Sequence, residues 1–269
     1  MTPIVQLVDQ LSALTIVDLE HPRQMRDPVF DAHWPGYVYA LYRRHEPGLE
    51  RRTSASGMII TPEHAGTHMD ALCHQAEDGK MYGGIRVCAT NQTPAGFSEL
   101  GIDTVAPQLR RGVLLDLPAT RGRVLEPEVE ISVDLLRAAA AGIEIRPGDV
   151  ILVRTGYGAK WGDPDQYLKA PGMSAEASEW VAAQQPVAAG IDNMAWDYPG
   201  RVSAYTGSTL PGHVVLLVRH GIYLVENLQL ETLAQSKAKE FLFVVIPLKL
   251  KGGTGSPVRP LALVPSLAE

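Results

Sequence analysis

Cysteine is scarce in this sequence, because only Cys73 and Cys88 occur among its 269 residues. Two cysteines are too few for a disulfide framework, so a reducing compartment, the cytoplasm, is expected. Long apolar runs are also missing, since none approaches the roughly 20 residues that span a bilayer. The first residues lack the basic segment followed by an apolar one that directs secretion. The sequence therefore predicts a cytoplasmic protein without a membrane span.

Several functional signatures are absent as well. There is no block of basic residues and the net charge is −6, which argues against nucleic acid or an anionic membrane surface as the main partner. No G-x-S-x-G elbow, Walker motif or G-x-G-x-x-G turn occurs, so serine hydrolase chemistry and nucleotide binding have no support. No repeat or flexible linker marks a boundary. The length suits one large domain or two small ones, and we predict a single domain over residues 1–269.

What the sequence does contain is an alternation of strand and helix patterns. Two segments, 132–142 and 174–185, have helical patterns with Ser132 and Ser174 as caps. Apolar runs rich in valine, isoleucine and leucine predict buried strands between and beyond them. These runs are GVLLDL (112–117), DVILVRT (149–155), VAAGID (187–192), IYLVEN (222–227) and FLFVVIPLKL (241–250). The alternation predicts an α/β domain with at least partly parallel strands.

Residues 20–60 are less regular and are rich in proline, histidine, arginine and aromatic residues. We predict loops and a β-hairpin that cover a pocket. Trp34 and Tyr37 are candidates for an aromatic wall around a planar substrate, and His33 could reach the same pocket. Ordinary packing under a loop is the alternative for both aromatic residues.

The segment HAGTHMDALCH, residues 64–74, concentrates three histidines and one aspartate. His64 and His68 have the spacing of two ligands on one helical face, but Gly66 and Thr67 disfavour a helix. In an extended chain, His64, His68 and Asp70 would project to one side, and Gly66 would leave room for an ion. The residues after Asp70 resemble the start of a helix. Either geometry brings the three candidate ligands together.

Two imidazoles and a carboxylate suit Zn²⁺ or Mn²⁺ and leave coordination positions open for water. Such an ion makes hydroxide available near neutral pH. His74 has the intrinsic pKa needed to carry a proton to a leaving group. A structural zinc site is disfavoured because such sites usually contain several cysteines, and Cys73, which we expect to be buried, is the only thiol nearby.

The segment resembles the signature of the metal-dependent cyclase-like hydrolase family, H-x-G-T-H-x-D-x-P-x-H, to which kynurenine formamidases and isatin hydrolases belong. Similar blocks are ILVRTGYGAKW (151–161), VAAGIDNMAWD (187–197), GIYLVENLQL (221–230) and VVIPLKLKGGTGSPVRPLAL (244–263). The resemblance runs from about residue 15 to the end, which leaves residues 1–15 as an N-terminal extension. Leu72 replaces the signature proline, and with the longer chain this places the sequence nearer the isatin hydrolase branch.

The resemblance implies a swivelling β/β/α fold, a homodimer or larger homo-oligomer, and one or two ions of Mn²⁺ or Zn²⁺. By position, His64, His68 and Asp70 would be metal ligands and His74 the catalytic acid and base. Glu226 and His213 would bind a second metal or support the first. Glu226 is a carboxylate at the end of a predicted strand, and His220 is an alternative to His213 in this role. Asp192, Arg154 and Thr155 fall in matching blocks without an assigned role.

The function predicted from these observations is hydrolysis of a small aromatic or planar substrate, either a cyclic amide such as an isatin-like lactam or an aryl formamide. A lactone hydrolase of the dienelactone type is the alternative at the same site. A metal-binding protein without catalysis is the alternative from another class. The presence of His74 beside three ligands disfavours it, because a purely structural site needs no further ionisable group.

Overall fold

The predicted strands form the middle of one nine-stranded mixed sheet. This computed structural model describes residues 2–46, 48, 51–198, 200 and 202–265. The two ends of the predicted domain, residues 1 and 266–269, and three positions of the predicted loop segment, Pro47, Leu49 and Glu50, lie outside the described residues. None of the helices in the described part of the chain has the length and apolar character needed to cross a membrane.

The strands follow one another along the chain in fifteen short elements. They are β1 (Leu14–Asp18), β2 (Val38–Arg43), β3 (Ser56–Ile60), β4 (His68–Asp70), β5 (Gln92–Thr93), β6 (Gly96–Phe97), β7 (Gln108–Asp116), β8 (Glu130–Ile131), β9 (Val150–Arg154), β10 (Gly172–Met173), β11 (Ala188–Ile191), β12 (Tyr223–Glu226), β13 (Glu240–Val245), β14 (Gly255–Pro257) and β15 (Leu261–Pro265). The large sheet has the order β1-β15-β13-β7-β9-β11-β12-β4-β14.

Four neighbouring strands, β7, β9, β11 and β12, run parallel to one another. The side chains of Val150–Val153 in β9 are fully buried, as expected for a parallel strand covered on both faces. All five predicted strands are confirmed, although β13 ends at Val245 and not at residue 250. Pro247 explains the early end, because proline has no N–H for the strand ladder. The outer strands β1, β15 and β13 are antiparallel.

The helices are short and connect the strands. They are α1 (Pro3–Ser12), α2 (Leu117–Arg121), α3 (Val133–Ala139), α4 (Pro164–Tyr167), α5 (Ala175–Ala183), α6 (Pro211–His213), which continues as a π-helix over Val214–His220, and α7 (Glu231–Gln235). Single 3₁₀ turns occupy Asp31–His33, Tyr82–Gly84, Ile102–Thr104 and Tyr157–Lys160. The two predicted helices are confirmed as α3 and α5, with Ser132 and Ser174 as their caps.

Two local predictions have different outcomes. The hairpin expected within residues 20–60 is present, because β2 and β3 pair antiparallel. The helix expected after Asp70 is wrong, since residues 71–79 form turns. The backbone N–H groups of Ala71 and Cys73 donate to the carbonyls of Thr254 and Leu100. These distant acceptors hold the segment in turns, whereas a helix would satisfy its backbone groups locally.

Candidate metal centre

The pairing of β4 with β12 brings three acidic and imidazole side chains together. His68 and Asp70 are two residues apart in β4 and therefore point to the same face of the sheet. Glu226 lies directly opposite His68 in the antiparallel register. As a result, His68 Nε2 lies 3.4 Å from Asp70 Oδ1 and 3.4 Å from Glu226 Oε2. All three side chains are buried.

His64 reaches the same site from a turn, so the helical and the fully extended geometries considered for residues 64–70 are both wrong. Only His68–Asp70 is strand, and Gly66 has a φ of +66° that permits the preceding turn. Gly66 does not make room for an ion, because a Cβ there would lie 2.7 Å from Arg23 Nη1. Arg23 donates to the carbonyls of Ala65 and Thr67 and so holds the turn. His64 Nδ1 lies 2.8 Å from Asp70 Oδ1.

His213, at the end of α6, completes the cluster, and His220 does not. His213 Nε2 lies 3.5 Å from both Asp70 Oδ2 and Glu226 Oε1. Its Nδ1 lies 2.7 Å from Asp197 Oδ2, and Asp197 also accepts the backbone N–H of His213. The His220 side chain is 42% exposed and lies beside Glu179. Asp197 is therefore a site residue that sequence reasoning missed; its position inside the VAAGIDNMAWD block was the available signal.

His74 lies beside the cluster with its ring stacked on that of His64, 4.0 Å between ring centroids. Its backbone N–H donates to the Ala71 carbonyl in the turn that follows β4. Burial lowers the pKa of His74 to about 3, although Asp70 opposes this effect. The His74 imidazole is therefore neutral, and the same burial makes it a weak base.

Charges differ sharply within the cluster. Burial alone would lower the pKa of His68, but Asp70 and Glu226 raise it to about 10. Burial also disfavours a charged His213, whereas Glu226, Asp197 and Asp70 raise its pKa to about 9. Although burial favours a neutral Asp70, the surrounding imidazoles hold the pKa of this carboxyl well below its usual range. The carboxylates thus create a negative environment that stabilises positive charge.

The cluster fits a divalent cation. Asp70 Oδ2 is buried and accepts no hydrogen bond within the part of the chain that the structure describes. Among the described residues, His68, Asp70 and Glu226 form one group with ligand atoms within 4.8 Å of one another, and His64, Asp70 and His74 form another. Ligand atoms about 2.0–2.1 Å from a tetrahedral Zn²⁺ are separated by about 3.3 Å. The 3.4 Å separations around His68 are close to this value.

A small cavity of about 60 Å³ opens onto the cluster. It is lined by His33, by the apolar residues Phe30, Met194, Ala195 and Leu210, and by His64, His68, His74, His213 and Glu226. The ring centroid of His33 lies 5.2 Å from that of His64. Trp34 is 76% exposed, and neither Trp34 nor Tyr37 lines this cavity. The apolar lining residues carried no recognisable signal in the sequence.

The remaining candidates have structural contacts outside the cluster. Asp192 accepts hydrogen bonds from the backbone N–H groups of Thr155 and Gly156 and from the Thr155 hydroxyl. Arg154 forms ion pairs with Asp116 and Glu231. Cys73 is buried, and burial raises the pKa of its thiol to about 12, which makes it a poor nucleophile.

Together, the mixed β-sheet with its connecting helices and the buried histidine–carboxylate cluster define an α/β protein with a centre suited to a divalent cation. Comparison with known sequences identifies the family. The model of the family described as "Putative cyclase" matches residues 17–198, which is more than half of the chain. The chain therefore belongs to the cyclase family, as the HAGTHMDALCH segment predicted.

Known proteins of this type are similar along most of the chain. The isatin hydrolase of Roseibium aggregatum is 28% identical over 215 residues, which cover 77% of this chain and 74% of that protein. A crystal structure of a protein described as a novel cyclase has a TM-score of 0.82 at 27% identity and covers 98% of this chain and 92% of its own. Isatin hydrolase A from Ralstonia solanacearum has a TM-score of 0.76 at 23% identity and covers 98% of both chains. These structures confirm the predicted cyclase-like α/β fold, and the relatives support a hydrolase.

Proposed function

We propose that this chain is a metal-dependent hydrolase that opens a cyclic amide, an isatin-like lactam, by attack of water on its carbonyl. Cleavage of an aryl formamide is the same reaction on an open amide. The observation that carries the proposal is the buried Asp70 carboxylate, whose Oδ2 accepts no hydrogen bond within the described residues although imidazoles surround it. A buried carboxylate oxygen without a hydrogen bond is costly, and a bound cation would offset this cost.

His64, His68 and Asp70 would hold one Mn²⁺ or Zn²⁺, and Glu226 and His213 would complete a second position or support the first. The ion supplies two effects when bound, a lower pKa of water and a polarised substrate carbonyl. The contacts of the Nδ1 atoms of His68 and His213, which face away from the cluster, support this assignment. His68 Nδ1 faces the Gly66 carbonyl at 2.8 Å and His213 Nδ1 faces Asp197, so each Nε2 points into the cluster.

His74 would act as the general base and then as the general acid. Its neutral imidazole would take a proton from the attacking water as the new C–O bond forms, and the protonated form, which burial disfavours, would readily release it. It would then return this proton to the leaving nitrogen as the C–N bond breaks. The proton balance needs no further group.

The substrate would be small and planar. Phe30 and His33 supply ring surfaces on the small cavity that opens onto the cluster. The name of the Roseibium aggregatum relative, isatin hydrolase, supports a fused lactam as the first substrate to test.

The test uses metal-stripped protein that is reloaded with Mn²⁺ or Zn²⁺ and assayed on isatin, N-formylkynurenine and a dienelactone side by side. We expect activity to return with metal and to be highest on isatin. Asp70→Asn, purified in parallel, controls for contaminating hydrolases. Preferred hydrolysis of the lactone would replace the amide assignment. Tight metal binding without turnover of any of the three would favour the non-catalytic alternative.

We also propose that the chain works in the cytoplasm as a homodimer or larger homo-oligomer. The β2–β3 hairpin supports assembly, because it exposes a group of large apolar side chains. These are Tyr39, Leu41, Tyr42, Met58, Ile59 and Ile60. Sedimentation equilibrium checks the mass, and a monomer at micromolar concentration would contradict the proposal.

A further inference from the structure

The imidazole of His64 contacts a hydrogen-bonded pair, Thr254 and Glu63, whose members lie far apart in the sequence. His64 Nε2 lies 2.9 Å from Thr254 Oγ1. The Thr254 hydroxyl in turn donates to Glu63 Oε2 over 2.6 Å, and the same carboxylate oxygen accepts the Thr254 backbone N–H over 2.9 Å. His64 is buried, and Glu63 and Thr254 are half-buried.

This arrangement determines which nitrogen of His64 carries the proton. A hydroxyl has a single hydrogen, and the hydroxyl of Thr254 directs it to the Glu63 carboxylate. Thr254 Oγ1 can therefore only accept a hydrogen bond from His64, so Nε2 is the protonated nitrogen. The lone pair of Nδ1 then faces Asp70 Oδ1 at 2.8 Å. At this distance the repulsion between the two atoms must be offset, either by a proton on Nδ1 or by a cation that takes the place of that proton.

We propose that Thr254 and Glu63 are positioning residues that hold His64 with Nδ1 directed at the cation. The inference rests on the proposed function, since it takes His64 as a metal ligand. Such outer hydrogen-bond partners fix the tautomer and orientation of a ligating imidazole, and their loss weakens metal binding by about 10–100-fold.

The adjoining backbone supports the same role independently. Gly255, at the start of β14, pairs with Asp70 in β4. A Cβ at Gly255 would lie 2.7 Å from His64 Cε1 and 3.1 Å from Nδ1. The strand thus packs directly against the imidazole, and the Thr254 carbonyl accepts the Ala71 N–H just after Asp70. One short segment, residues 254–255, therefore positions His64 through a hydrogen bond and through close backbone contact.

The test compares Thr254→Val, which keeps the shape of the side chain and removes the hydroxyl, with Thr254→Ser, which restores it. We expect Thr254→Val to bind Zn²⁺ and Mn²⁺ about 10–100-fold more weakly in equilibrium dialysis, and Thr254→Ser to stay within about threefold of the unmodified protein. Glu63→Gln should weaken binding in the same direction, because an amide can donate to Thr254 and reverse the hydroxyl. Thr61→Val is the matched control, since that hydroxyl donates to the neighbouring Pro62 carbonyl and not to His64 or Glu63.

A second readout follows the tautomer itself. Long-range ¹H–¹⁵N spectra of the Zn²⁺-loaded protein should show the proton of His64 on Nε2, and this signature should weaken or shift in Thr254→Val but not in Thr61→Val. Unchanged Zn²⁺ affinity in Thr254→Val, or equal losses in Thr254→Val and Thr254→Ser, would overturn the positioning role. Failure of the unmodified protein to bind either ion would instead overturn the proposed function.

Discussion

Two neighbouring regions of this molecule bury histidine in opposite ways. The pocket floor, formed by His68, Asp70, His213 and Glu226, surrounds its imidazoles with carboxylates that raise their pKa values to about 10 and about 9. The aromatic cluster, formed by His21, Tyr157, Trp161 and Tyr167, has no carboxylate among its members. There His21 stacks on Trp161 with ring centroids 4.5 Å apart, and burial lowers its pKa to about 4.

The difference shows that burial alone does not decide the charge of a histidine. The two regions are both buried, and the arrangement of carboxylates accounts for the contrast. The floor stabilises a positive charge, and the aromatic cluster excludes one. His74 lies in the pocket but resembles His21, because its pKa is also lowered. The pocket therefore combines a part that attracts a cation with a neutral base beside it.

Removal of the central carboxylate should abolish this contrast and have the largest effect. Asp70→Ala eliminates the oxygen atoms that approach His64, His68 and His213. We expect metal content to fall to background and kcat/KM to fall by more than about 10³-fold, equivalent to the several kcal/mol that a metal ion contributes. Elemental analysis and kinetics check this. Asp134→Ala, at a side chain that is 93% exposed, is the control. Full metal content in Asp70→Ala would remove Asp70 from the ligand set.

Loss of His74 should separate chemistry from metal binding. His74→Ala should keep its metal and lose roughly 10²–10⁴-fold in kcat, the usual contribution of a positioned acid or base. KM should change much less, because proton transfer matters chiefly in the transition state. The measurement pairs elemental analysis with kcat, and His45→Ala at an exposed position is the control. Because His74 also lies within ligand distance of His64 and Asp70, metal loss in the variant would identify it as a ligand.

The parts of this site that are local in sequence could be predicted, and those assembled by tertiary contacts could not. His64, His68, Asp70 and His74 lie within eleven residues, so their types and spacing were sufficient to propose a cluster. The buried strands were predictable because parallel strands are nearly continuous apolar runs. The geometry of residues 64–79 was not, because Arg23 and the carbonyls of Thr254 and Leu100 hold these turns.

Residues that orient the cluster were hidden for the same reason. Asp197 approaches His213 from the loop before α6, and Thr254 approaches His64 from the residue just before β14. Neither contact follows from spacing or periodicity. The similar blocks around residues 187–197 and 244–263 indicated that these segments matter, but only the sheet order placed them beside the histidine–carboxylate cluster.

Removing the negative charge of Asp197, which contacts the pocket floor through His213, should have an intermediate effect on metal affinity. Asp197→Asn keeps an acceptor near His213 Nδ1 but removes its negative charge. We expect metal affinity to fall by about 10–100-fold, the range for an outer partner of a ligating histidine. Equilibrium dialysis with Zn²⁺ measures it, and Glu126→Gln at an exposed carboxylate is the control. An unchanged affinity would mean that His213 does not contact the ion.

Because the aromatic cluster keeps His21 neutral, the stability of the folded protein should decrease in acid. The pKa of His21 is about 4 in the folded protein and about 6.5 when the imidazole is exposed. Between these values the unfolded chain binds a proton that the native protein does not, so stability falls as the pH is lowered from 6.5 to 4. The shift corresponds to at most about 3 kcal/mol of unfolding free energy.

Urea unfolding across this range should show a smaller acid-induced loss of stability in His21→Phe, which keeps a ring against Trp161, than in the unmodified protein. His45→Phe, at an exposed position, should follow the unmodified curve. Identical curves for all three proteins would mean that His21 is not held neutral, and the contrast between the two regions would then not extend beyond the pocket.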